Sequence, residues 1–233
     1  MSSRQDTGWK DLHYRHATIV DLHAHPSLKV SLFNRVLTHW HRAGRAFDPF
    51  SVRTDFPKLR AGGLDVLLST VYVPEAGILE ECRYLQLLRY PLYGLWKRVF
   101  ARPPAEVTME MLDAIEAQVE AALDRCSGKR LAQMVVSVRE LDELLAQPGE
   151  RPIAVIHSVE GGHSLGGSLD NVQRLFDRGV AYLTLAHFYE NEAVSPCFPY
   201  PESVQVLGCF DGDRDLSRGL KPFGIEVVER IGS

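Results

Sequence analysis

Four side chains in this sequence are of the kinds that hold a metal ion or move a proton, and each closes or follows a short apolar run. His23 and His25 stand in Asp21-Leu22-His23-Ala24-His25-Pro26. Glu160 stands in Ser158-Val159-Glu160-Gly161-Gly162-His163, and His187 in Thr184-Leu185-Ala186-His187-Phe188-Tyr189-Glu190-Asn191. Side chains alternate faces along a strand, so His23 and His25, two positions apart, point the same way and can grip one ion. Neutral imidazole nitrogens suit zinc at about 2.0–2.1 Å. A carboxylate at the end of an apolar strand is costly to bury unless it is paired or bound to metal. The two glycines after Glu160 permit a tight turn or the close approach of a ligand. A His-x-His pair alone says little in a chain with nine histidines. What carries weight is the shared placement of all four residues at strand ends, which form the active rim of parallel α/β folds.

The other histidines read as ordinary. His157 has the opposite parity to Glu160 and is expected to face the helices as a structural residue. His163 lies in the glycine loop with no role assigned to it. His13, His16, His39 and His41 sit in polar or mixed surroundings. The basic pair Lys97 and Arg98 beside Trp96 reads as a solvated helix face, and Leu85, Leu88, Leu92, Leu95 and Val99 fall at helical spacing for core packing. There is no Gly-x-Gly-x-x-Gly, no phosphate loop and no Gly-x-Ser-x-Gly elbow.

The elements that must position these residues alternate between strand-like and helix-like. Strands are expected over Ala17–Leu22, Leu64–Val73 (stopped by Pro74), Met134–Val138, Ile153–Val159 and Val180–Ala186. A long helix is expected from Thr108, as N-cap, to Arg125, with Gly128 just past its end. Shorter helices are expected over Glu140–Gln147, Ser168–Arg178 (with Gly179 as stop) and Pro222–Ile231, with Pro222 in the first turn. The segment from Ser195 to Glu202 carries three prolines and reads as loop. Strands alternating with helices imply βα units and a parallel sheet, and apolar strands fit a sheet covered on both faces. This pattern suits a doubly wound sheet and a closed barrel equally. About five strand units are legible, against the eight of a (β/α) barrel.

Composition bounds the reading further. The chain has 233 residues, 45% of them hydrophobic and 24% charged, as in an ordinary globular protein. A formal net charge of -4 offers no basic footprint for nucleic acid. No apolar stretch is long enough for a membrane span. Met1 to His16 is polar and lacks the apolar core of a secretory signal, so a cytoplasmic location is expected. Cys82, Cys126, Cys197 and Cys209 form no C-x-x-C pair and are read as reduced thiols; Cys197 and Cys209 flank a loop and could pair if the protein were exported.

From Ile153 to Asn191 the chain resembles the membrane dipeptidase (renal dipeptidase) family of zinc peptidases. The resemblance is carried by an apolar strand ending in Glu160-Gly161-Gly162, a helix ending in Arg178-Gly179-Val180, and a tyrosine-containing strand ending in Leu185-Ala186-His187 with Asn191 shortly after. The segment from Gly219 to Gly224 resembles the family's Gly-Leu-Thr-x-Phe-Gly, and Asp21-x-His23 its opening strand. The resemblance implies one (β/α)8 TIM-type barrel domain over residues 1–233, with 1–16 as an N-terminal extension and about the first five βα units present. It implies two zinc ions, with His23 a ligand, Glu160 bridging both ions and His187 contacting the substrate; His25 stands where many members carry Asp. The family's two further zinc-binding histidines, a carboxylate-binding arginine and a proton-transferring aspartate come on later strands and have no counterpart here. An incomplete barrel, with an open edge and a tendency to associate, is therefore expected. The expected activity is zinc-dependent hydrolysis of small dipeptides. The alternatives are an amidohydrolase acting on amides or lactones, and a catalytically incomplete remnant that binds a metal or a partner.

Overall fold

The computed structural model describes residues 17–42, 51–77, 86, 87, 90, 93–124, 127–196 and 219–232. The N-terminal segment 1–16 with His13 and His16, all four cysteines, and much of the aromatic stretch after Tyr84 lie outside the described residues.

Five strands form one parallel sheet: β1 (Val20–Ala24), β2 (Val66–Tyr72), β3 (Ala132–Met134), β4 (Ile153–Glu160) and β5 (Val180–Thr184). The helices are α1 (Pro26–Phe33), α2 (Phe56–Ala61), α3 (Tyr93–Phe100), α4 (Pro104–Glu120), α5 (Val138–Leu145), α6 (Leu169–Asp177) and α7 (Pro222–Gly232). β1 pairs with β2, and β2 with β4 over seven residues, from Val66 opposite Ala154 to Tyr72 opposite Glu160. The other edge of β4 is shared by β3 near its start and β5 near its end. Among the described residues neither β1 nor β5 meets a further strand, and the sheet does not close. No described helix is long and apolar enough to cross a membrane.

Period-two alternation sorts β2 and β4 into two faces. Val71, Val73 and Val159 pack outward against Val107, Met111 and Leu112 of α4. Lower down, Leu67, Ile153 and Val155 pack with Ile115 and Val119 of the same helix. The inward positions are apolar low in the sheet, at Val66, Leu68, Ala154 and Ile156, and polar and level with one another towards the strand ends. Thr70 faces Ser158, which faces Tyr182; Tyr72 faces Glu160, which faces Thr184. His157 takes the outward parity anticipated for it. It is fully buried, and its Nε2 lies 3.1 Å from a Glu116 carboxylate oxygen on α4.

Several boundaries differ from the sequence expectation. The long helix starts at Pro104, not at Thr108, because consecutive prolines set its first turn. Thr108 sits one turn inside and donates its hydroxyl to the Pro104 carbonyl at 2.9 Å. The helix also stops at Glu120, since Leu123 bridges to Arg130 across a turn in which Gly128 has a φ of +67°. α5 begins at Val138: the Ser137 hydroxyl accepts from the Glu140 N–H at 3.2 Å, while the Glu140 carboxylate accepts from the Val136 N–H. β1 starts three residues and ends two residues later than anticipated, β3 is three residues long, and β5 ends at Thr184 rather than Ala186.

Candidate functional site

The ends of β1, β2, β4 and β5 bring the four candidate residues together. His23 is on β1. His25 is the residue before α1, whose first helical position is Pro26, so the chain turns away directly after presenting this imidazole. Glu160 is the last residue of β4 and is 9% exposed. The two glycines after it extend the pairing with the β5 strand: the Gly161 N–H donates to the Thr184 carbonyl at 2.7 Å, and the Gly162 N–H to the Leu185 carbonyl at 2.8 Å. Gly161 has a φ of +97°, and a Cβ there would overlap the His163 ring.

The donor atoms converge closely. His23 Nε2 and His25 Nε2 are 2.9 Å apart. Glu160 lies 3.4 Å from the first through Oε1 and 3.2 Å from the second through Oε2. Ligands of one tetrahedral zinc at about 2.0–2.1 Å would lie roughly 3.3 Å from one another. Among the described residues these three form the one cluster able to hold a metal ion. Hydrogen bonding also sets the proton of His23. The Tyr182 hydroxyl donates to the Leu22 carbonyl at 2.9 Å. It therefore accepts from His23 Nδ1, also at 2.9 Å, which leaves the Nε2 lone pair facing the carboxylate. A lone pair and an ionised carboxylate side by side suit a cation between them. Burial alone would raise the pKa of Glu160, but the hydrogen bond from His25 and the three neighbouring imidazoles hold it below the ordinary carboxylate value.

His187 lies three residues beyond β5. Its Nε2 is 3.6 Å from Glu160 Oε2. Its Nδ1 donates to Glu75, at 2.9 Å from Oε2. Glu75 was not singled out from the sequence, although it stands just past Tyr72 and Pro74 and so obeys the same strand-end rule as the other four. Tyr182 and Tyr72 were also missed; their signal was inward parity beside Thr70. Burial pushes the Tyr72 phenol well above its ordinary range, with the charge of Glu75 adding to the effect, so the hydroxyl stays protonated and donates to Glu75 Oε2 at 3.2 Å. His163 proves structural. Burial depresses its pKa, and its Nε2 donates to the Val73 carbonyl at 2.7 Å.

The family model for membrane dipeptidases (peptidase family M19) matches residues 10–232. The chain belongs to the membrane dipeptidase family. Two solved structures share its fold. One is the probable dipeptidase PvdM from Pseudomonas aeruginosa, at 14% identity and a TM-score of 0.59, with 99% of this chain and 48% of that one covered. The other is dipeptidase AC, described as a metallopeptidase of family M19, at 18% identity and a TM-score of 0.56, with 91% and 52% covered. This family member spans about half the length of the two solved structures. At such identities the likeness is one of fold, and it identifies the five-stranded parallel sheet as part of a (β/α) barrel.

The segment from Gly219 to Gly224 docks on the loop after His187. Ser195 N–H donates to the Gly219 carbonyl, Lys221 N–H to the Ala193 carbonyl, and the Lys221 ammonium to the Asn191 carbonyl at 2.6 Å. A side chain at Gly224 would run into the Ala193 carbonyl.

Proposed function

We propose that His23, His25 and Glu160 of this chain would hold zinc in the metal site of a dipeptidase, a site expected to take two ions when complete. The observation that carries this reading is the convergence of three donor atoms at 2.9–3.4 Å on a strand-end rim, in a member of a dipeptidase family. When bound, zinc supplies a Lewis acid that polarises the scissile carbonyl and makes an attacking water acidic near neutral pH. The protein's own groups orient and hold. Tyr182 keeps His23 in the tautomer that offers Nε2. His187, beside Glu160, faces the oxygen that gains charge as the peptide carbonyl is attacked, and as an imidazolium donates Nε2–H to it. The substrate is a small dipeptide.

A second reading keeps the rim and changes the substrate to an amide or lactone. It is favoured by His25, because a second neutral ligand in place of a carboxylate leaves the site one negative charge poorer. Zinc per chain after dialysis, followed by assay on a panel of dipeptides, lactones and cyclic amides, tests both. Stoichiometric zinc with dipeptide cleavage supports the first reading. Cleavage of lactones or cyclic amides alone supports the second. Zinc-free chain at saturating zinc would overturn the metal assignment.

A further inference from the structure

Glu75 is a buried carboxylate, 3% exposed, that the proposed chemistry does not use. Four donors converge on it. His187 Nδ1 and the Tyr72 hydroxyl reach Oε2 at 2.9 and 3.2 Å. The Phe188 N–H reaches the same oxygen at 3.4 Å, and the Tyr189 N–H reaches Oε1 at 3.2 Å. β2 and β5 do not pair with each other; both pair with β4. Glu75 therefore ties the loop after β2 to the loop after β5 across the end of β4, where Glu160 stands. A buried carboxylate is tolerated only when its lone pairs are filled, and here the donors come from the end of β2 and the loop after β5. Burial alone would raise the pKa of Glu75, but the hydrogen bond from His187 and the nearby His163 hold it below the ordinary value, so it remains ionised.

We propose that Glu75 is the positioning residue of His187: it holds the Nδ1 proton and the ring plane, so that Nε2 is the atom presented beside Glu160. Nδ1–H stays on the Glu75 side whether or not Nε2 carries a proton, because the carboxylate can only accept. The ring is held from its flanks as well, with the Tyr72 ring edge-on at 4.6 Å and the Phe188 ring at 3.7 Å between centroids. The part of this proposal that concerns turnover rests on the dipeptidase reading; the part that concerns the His187 ring does not.

The test is made on the full zinc-loaded chain with Glu75→Gln, Glu75→Asp, His187→Gln and the Glu75→Gln/His187→Gln double variant. Glutamine is nearly isosteric but offers one acceptor oxygen to donors that fill two. The expected result has three parts. Nitrogen NMR shows a slowly exchanging Nδ1 proton on His187 that is lost or displaced in Glu75→Gln. kcat for a dipeptide falls about 10- to 100-fold, the scale for losing an outer partner of an active-site imidazole, with KM and bound zinc near native. Glu75→Asp, which keeps the charge, recovers part of the rate. In the His187→Gln background Glu75→Gln costs no further rate, because its effect passes through that ring. An unchanged His187 Nδ1 resonance in Glu75→Gln, or an equal loss of kcat in both backgrounds, would overturn the proposal. If the native chain cleaves no dipeptide while the Nδ1 proton still responds to Glu75→Gln, the dipeptidase reading falls and the positioning role stands.

Discussion

At Glu160 the charge, rather than the shape, sets the outcome of substitution. The carboxylate faces His23 Nε2 and His25 Nε2 within 3.4 Å and His187 Nε2 at 3.6 Å, and it is kept ionised by them. Glu160→Gln keeps the volume but loses the charge and one acceptor. Zinc affinity is expected to fall by more than the roughly 10–100-fold that losing an outer-shell partner costs, with activity lost as well. Tyr182→Phe removes only the hydroxyl that holds the His23 tautomer, so its loss is expected to stay within that range. Competition against a chelator ranks the two, and a Tyr182→Phe loss as large as that of Glu160→Gln would contradict the tautomer argument. His23, His25, Glu160 and His187 were legible from the sequence because each follows an apolar run that marks its own strand. Tyr182 and Glu75 were not, because their meaning lies in their partners. Tyr182 meets His23 across 159 positions and Glu75 meets His187 across 112, and no local pattern reports such a bond.

Elements carry these residues to the rim, and the Glu160-Gly161-Gly162 turn is the most demanding of them. Gly161 has a φ of +97°, and a Cβ there would overlap the His163 ring. Gly149 has a φ of +81°, but a Cβ there would meet nothing within 4 Å. The first position combines strain with a clash; the second has strain alone. Gly149→Ala is expected to cost about 1–3 kcal/mol, the scale for a non-glycine residue in this region, and Gly161→Ala distinctly more. Thermal unfolding of both variants decides it, and equal shifts in Tm would mean that His163 moves aside freely. The same turn was readable in the sequence as two glycines after a strand. α7 was readable because Pro222 marks its first turn. The start of α4 was misplaced because Thr108 is a good N-cap type, although Pro103-Pro104 carried the first-turn signal one turn earlier. The order of strands was not legible either: β3, three residues long, pairs only with the start of β4, so β2 lies directly against β4.

Across the whole molecule, acid should act in two separate steps. His157 joins the outer face of the sheet to α4 through Glu116, and Arg178, just past α6, bonds the same carboxylate at 2.6 Å and Asp113 at 2.7 Å. Burial is the main cause holding the His157 pKa below its ordinary 6.5, opposed by the hydrogen bond to Glu116. Its Nε2 donates to Glu116, and its buried Nδ1 has no partner among the described residues, so a second proton there would be left without an acceptor. The folded state thus binds this proton less readily than the unfolded chain does. Between the depressed folded value and 6.5 the unfolded state holds more protons, so stability rises with pH in that window and is lost as pH falls below about 6.5. Glu75 acts in a lower window. Its folded pKa lies below the ordinary 4.5, so its contribution is complete above that value and disappears as pH drops through the folded one. Thermal unfolding of the metal-free chain from pH 7.5 to 3 should therefore show a first decline in Tm below about 6.5 and a second below about 4.5. His157→Gln, which can still donate to Glu116 and does not titrate, should start from a lower Tm and lessen the first decline, the rest of which belongs to the likewise depressed His163, while leaving the second. If the variant instead follows the native slope between pH 6.5 and 5, His157 is not the group that acid finds first, and the coupling of sheet to α4 does not depend on its neutrality.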